Sequence, residues 1–197
     1  NDVYVSSGGP EVGAGGVAYF DFDRFRAPGK HYLVEYSGME ALTVQSANQS
    51  DVVNAGEVTI PFTLNTLGGS DSVNLRNTPA GTTTNVTLGD ASDTLSLLTT
   101  GASSTTTVHG NDGDDSFSIF ATAAHATTTV IGDLGSDTFE VKGGRLLSSI
   151  NLTGSDPAAP TLPGDTLIFD AQTFAATPLS PPLPAGFVRV NDSSRPF

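Results

Sequence analysis

The chain contains no cysteine, which excludes disulfides and thiolate zinc sites. Cytosolic chains usually carry a few thiols, so their absence favours a bacterial surface protein. Charge is scarce as well. Asp, Glu, Lys and Arg make up 15% of the 197 residues, against a usual ~25%, so Ser, Thr, Asn and Gly must cover the surface. Cations are scarcer still: eight Lys and Arg face 21 Asp and Glu, for a net charge of −13. That balance argues against nucleic acid or an anionic membrane as partner and suits cations. There is no apolar stretch long enough to span a membrane, no evident signal peptide and no sustained helical periodicity. The chain reads as a mature protein or as a piece of a longer one, with room for one sizeable domain or two small ones.

What is present is a repeat. The phrase Asp-Ser/Thr-apolar-x-apolar begins at Asp71, Asp93, Asp115 and Asp137, each step being 22 residues. A fifth copy starts at Asp165, later than the period requires. The six extra residues fall in the Pro-rich segment SDPAAPTLP, which reads as a loop insertion. A second column, Leu64, Val86, Val108, Val130 and Leu152, keeps the 22-residue step inside β-branched runs such as TTTNVTL and ATTTVIG. Each period therefore holds two short strands. Gly and Asp/Asn fill the turn between them, and Pro, Gly, Ala and Ser fill the return turn. Such a pair cannot bury an apolar face alone. Stacking coils at ~4.8 Å makes continuous apolar columns and pairs the inner backbone groups. The Leu/Asn spacing of a leucine-rich repeat is missing.

The ends are less regular. The run from Lys30 to Tyr36 is an expected strand, and Glu40-Ala41-Leu42-Thr43-Val44 resembles a degenerate copy upstream of Asp71. The opening Asp2-Val3-Tyr4-Val5 echoes Asp165-Thr166-Leu167-Ile168, and residues 15–21 echo 185–191. The start of the chain thus looks like the end of a preceding unit. Neither end shows a convincing cap, which points to one frame of a tandem array or end-to-end polymer. The expected division is 1–40 as an amino-terminal β segment, 41–170 as the solenoid, and 171–197 as a Pro-rich linker with a closing strand.

The turns GNDGDDSFS at 110–118 and GDLGSDTFE at 132–140 resemble the calcium-binding nonapeptide of RTX proteins. Asn111 and Asp133 stand where that motif usually has its second glycine. The turns around Asp93 and Asp71 match more poorly. The resemblance covers roughly residues 64–141 and implies a parallel β-roll, secretion and calcium-coupled folding. RTX rolls carry two such turns per coil; here there is one, so at most one edge could be loaded.

Two readings of the aspartates stay open. Stacked like charges ~5 Å apart cost ~3 kcal/mol per neighbouring pair at an effective dielectric of 20. Calcium, with six to eight oxygen ligands, would remove that cost. Asp90, Asp112, Asp115, Asp133 and Asp137, with turn carbonyls, could supply the ligands. Alternatively each Asp accepts hydrogen bonds from turn amides, with Ser/Thr helping.

His31, His109 and His125 fall in separate segments and suggest no catalytic set. A carbohydrate-active, polysaccharide lyase-like or hydrolase-like β-helix enzyme is the rival from another class, but Lys142 and Arg145 stand nearly alone in the repeats. The Thr runs are too interrupted for an ice-binding face. Sequons occur at Asn48, Asn85, Asn151 and Asn191 and are candidate glycosylation sites if the source modifies extracellular proteins.

The expected fold is an all-β, right-handed parallel solenoid of five to six coils with an irregular β-rich amino-terminal segment. Its expected core is Val73, Leu75, Val86, Leu95, Leu97, Val108, Phe117, Ile119, Val130, Phe139 and Val141. The expected role is a non-enzymatic structural or adhesive module of a cell-surface or extracellular fibre, surface layer or repeat array, partnered head-to-tail by copies of itself, with cell-surface glycans as a further partner class.

Overall fold

The computed structural model describes residues 2–6, 15–21, 31–46, 48–56, 58–156 and 164–170. The strands run in chain order as β1 (Asp2–Ser6), β2 (Gly15–Asp21), β3 (His31–Ser37), β4 (Leu42–Gln45), β5 (Val52–Gly56), β6 (Phe62–Asn65), β7 (Ser72–Leu75) and β8 (Thr83–Asp90). They continue as β9 (Thr94–Leu97), β10 (Thr105–Asp112), β11 (Ser116–Ile119), β12 (Thr127–Leu134), β13 (Thr138–Lys142), β14 (Ile150–Asp156) and β15 (Thr166–Asp170). From β4 onward the strands alternate between two sheets. The even-numbered strands β4 to β14 form a six-stranded sheet, and the odd ones from β5 form most of a nine-stranded sheet. Neighbours of consecutive coils pair in parallel, as in β8–β10–β12 and β9–β11–β13. The protein is a parallel β-solenoid.

The register reproduces the repeat. Val73, Leu95, Phe117 and Phe139 lie side by side, each one period after the last. Leu64, Val86, Val108, Val130 and Leu152 do the same in the other sheet. Phe139 then meets Leu167 across the lengthened step, while the even sheet keeps its period. The insertion therefore falls between β14 and Asp165 and leaves the stacking unchanged.

Alternation places one face of each strand inward. All of the expected core residues are buried, none more than 4% exposed. The Phe117 and Phe139 rings stack with centroids 5.1 Å apart. At the return turns the interior becomes polar. The Thr106 hydroxyl donates to Thr78 Oγ1 at 3.4 Å, the Gly101 amide donates to the same oxygen at 3.1 Å, and the Ser104 hydroxyl donates to the Gly101 carbonyl at 2.8 Å. These buried hydroxyls satisfy backbone groups that the turn leaves without ladder partners.

Three expectations need correction. Leu42-Thr43-Val44 is not a copy of the Asp phrase. It forms β4, with Val44 beside Leu64 in the valine column. The true preceding copy starts at Asp51, because Val53 pairs with Val73, a step two residues shorter than the rest. The amino end also does not stand free. β1 lies parallel to β5, and β2 and β3 follow it antiparallel, so the chain extends its own odd sheet. Asp2 aligns with Val52 and hence with the column of Ser72 and Thr166, one position away from the echo with Asp165. The expected strand from Lys30 to Tyr36 appears as β3. The segment 171–197 lies outside the described residues.

Candidate functional site

The repeated aspartates do not point to solvent. Asp71, Asp93, Asp115 and Asp137 are at most 3% exposed, and Asp51 joins their column. Each carboxyl reaches one coil back. Oδ1 of Asp71 accepts the Asp51 amide at 2.7 Å, Asp93 accepts from Asp71 at 2.7 Å, and Asp115 from Asp93 at 2.8 Å. Asp137 accepts from Asp115 and Asp165 from Asp137, both at 2.9 Å. The result is a ladder of side chain to main chain bonds running inside the solenoid beside the apolar columns. The following Ser/Thr starts the next strand, and its amide continues the pairing, as in Thr94 N–H to the Asp71 carbonyl at 2.9 Å.

Oδ2 of Asp71, Asp93, Asp115 and Asp137 is buried with no hydrogen-bond partner. In the later coils it packs on the backbone five residues earlier in its own coil. A methyl group built on Gly110 would run into the Asp115 carboxylate, and one on Gly132 would run into that of Asp137. A buried carboxylate without a counter-charge is costly, and the group neutralises instead. Burial pushes Asp93 and Asp115 up to about 7; the amide each accepts pulls back, and the neighbouring carboxyls push further upward. Asp71 and Asp137 are raised for the same first cause. Around neutral pH Asp93 and Asp115 are therefore partly protonated. The column is shut off from solvent, so it serves as a structural spine and offers no acid or base to a substrate.

The five carboxylates expected as calcium ligands are divided between two layers. Asp115 and Asp137 belong to the interior ladder. Asp90 and Asp112 stand exposed and side by side on the outer turn. Asp133 is held by His109 Nδ1 at 2.9 Å and the Asn111 amide at 3.4 Å. As placed, they do not make one ligand set. Among the described residues no group of three or more His, Asp or Glu side chains is arranged to hold a metal ion. The backbone amide that each of these carboxyls accepts is that of the aspartate one coil back.

The turn itself explains the other motif residues. Asn111 and Asp133 sit at φ 75° and 71°, in the same column as Gly89 at 104°. Asn and Asp tolerate this left-handed region better than other side chains, so they replace a glycine there without calling for a metal. The second glycine of each turn, Gly113 or Gly135, adopts φ near 140° and lies against the backbone of the turn below. Sequence inspection missed Asp51 and the resting glycines. The signal for the latter was the Gly-x4-Asp spacing in GNDGDD and GDLGSD.

Elsewhere, Lys142 is bound to Glu140 and to Asp170, the latter at 3.2 Å, so it forms part of an outer charge pair. His125 is exposed in a return turn, and His31 lies in β3. Asn48, Asn85 and Asn151 are exposed; Asn191 lies outside the described residues. Comparison with family models, curated proteins and solved structures finds no match to this chain.

Proposed function

We propose that this chain is a structural or adhesive module of an extracellular fibre, surface layer or tandem-repeat surface protein, built by head-to-tail stacking of copies. The observation that carries the proposal is the state of the last described coil. In the column Val53, Val73, Leu95, Phe117, Phe139 and Leu167, the first five are at most 3% exposed and Leu167 is 55% exposed. The apolar spine reaches the surface where β15 and β14 end the two sheets among the described residues. Edge strands of this kind pair with another chain unless something blocks them. The opposite end is different, being made of β3 and β4, so the contact is heterologous and grows into a filament unless its rotation closes a ring. Main-chain pairing supplies affinity, and the alternating apolar side chains set the register.

Sedimentation velocity over a concentration series, with electron microscopy of the same samples, tests this. Filaments or concentration-dependent oligomers are expected, weakened by Leu167→Lys. A monomer at every concentration would reject the proposal, and depolymerisation of a polysaccharide by the purified chain would favour an enzyme.

A further inference from the structure

On the outer face of the odd sheet, next to the return turns, Leu98, Phe120 and Leu147 line an open groove of about 860 Å3 together with Arg76 and Arg145. Leu98 and Phe120 are each 41% exposed and Leu147 55%. They form a contiguous strip beside the short polar side chains of Asn74 and Ser96. Both arginines are exposed, and neither forms an ion pair among the described residues. In a chain with eight cations and a net charge of −13, two such arginines framing an apolar strip mark a surface for an acidic partner with an apolar centre.

The same molecule carries that complement on its opposite edge. Leu134, at the end of β12, is 51% exposed. Asp133 precedes it, and Asp112 and Asp90 continue its column through the two coils before it. Both features repeat with the coil, about 4.8 Å per rung. The groove reads Arg76, Leu98, Phe120 on successive coils, and the edge reads Asp90, Asp112, Leu134. Two solenoids running side by side in the same direction, displaced by one coil, set Asp90 against Arg76 and Leu134 against Phe120, with the exposed Asp112 passing beside Leu98 on the middle rung.

We infer that the groove is a lateral docking site for the acidic turn edge of a second copy of this chain. The inference rests on the assembly reading above and adds to it a sideways contact, so that filaments broaden into sheets. Lateral contacts of this kind are heterologous and propagate, and the charged rim makes them salt-sensitive.

The lack of native cysteine makes a clean test available. Full-length chains carrying Phe120→Cys and Leu134→Cys are mixed at equal concentration under mild oxidation. A disulfide-linked pair is expected at least tenfold above a control mixture of Phe120→Cys with Met39→Cys. Adding Arg76→Glu to the first chain should abolish the link, and adding Asp90→Arg to the second should restore it, with unchanged melting curves showing that each variant is folded. A link no stronger than the control, or one indifferent to Arg76→Glu, overturns the inference. Binding of polygalacturonate to the groove without any link overturns it in favour of an acidic glycan. With Leu167 intact, filaments without the link sink only the lateral site, and the link without filaments sinks only the head-to-tail reading; Leu167→Lys should remove the filaments and leave the link.

Discussion

The amino-terminal and carboxyl-terminal coils carry the same aspartate ladder on different supports. In β4 to β7 the position five residues before the aspartate is a hydroxyl. Ser46 donates to the Thr66 carbonyl at 2.9 Å, and Thr66 donates to that of Leu88. In the later coils the position is Gly110 and Gly132, and the carboxylate lies directly on the glycine; Gly154 meets Asp165 in the same way across the lengthened step. Leu88 marks the changeover. Burial raises Asp71 against the pull of the Asp51 amide, and it raises Asp93 and Asp115 to about 7. The difference teaches that the ladder's geometry does not depend on what supports it: the amide to Oδ1 bond is made in both regions, over a hydroxyl in one and a glycine in the other.

The largest expected effect tests the core, where aliphatic Val53 and Val73 of the early coils give way to stacked Phe117 and Phe139. Phe117→Ala should cost about 3–5 kcal/mol in a urea melt, more than Val73→Ala, because the deleted ring leaves a cavity between two coils. Next is the attempt to give the later coils a side chain at the glycine position. Gly132→Ala should cost about 3 kcal/mol, since the added methyl meets the Asp137 carboxylate with no room to move.

Then comes pH. The folded carboxyls of Asp93 and Asp115 titrate near 7 instead of near 3.8, so between those values the folded chain binds more protons than the unfolded one. Their stabilising protonation is complete below about pH 4 and is lost as pH rises through 7. Thermal melts should therefore show higher stability at pH 5 than at pH 8. Asp115→Asn, which keeps the acceptor for Asp93, should flatten that slope; an unchanged slope would place the charge elsewhere.

A smaller effect sharpens the contrast itself. Thr66→Val removes the hydroxyl with little change of shape, and the lost bond to the Leu88 carbonyl should cost about 1 kcal/mol in a urea melt. The smallest concerns metal. With the carboxylates split between interior and rim, melting should be the same in EGTA and in millimolar calcium, and a calcium-dependent rise would reveal binding to the folded state.

Much of the fold was legible because every coil uses the same chemistry at the same column, so Leu64, Val86 and Val108 announce the stacking period by themselves. The first coil escaped because it is two residues shorter and follows Asp51 with Val52 in place of Ser or Thr. The cap by β1 escaped because an in-register strand looks the same whether its partner lies in the same chain or the next. The aspartates themselves were found, but their direction was not. An Asp in a Gly-rich turn ordinarily faces water, and only the glycine five residues earlier shows that a carboxyl has been folded inward.

The ladder has a polarity that the sheets alone lack. Every carboxyl satisfies the amide of the coil before it, so a finished coil always waits for the next to arrive. Stacked repeats can propagate from any nucleus, but here each step completes its predecessor in one direction only, from β5 toward β15. A chain emerging amino end first from a ribosome or an export channel meets this requirement naturally. With the first coil paired to β1 as template, each newly delivered aspartate would lock the rung behind it, so winding from the amino end satisfies every buried amide in turn.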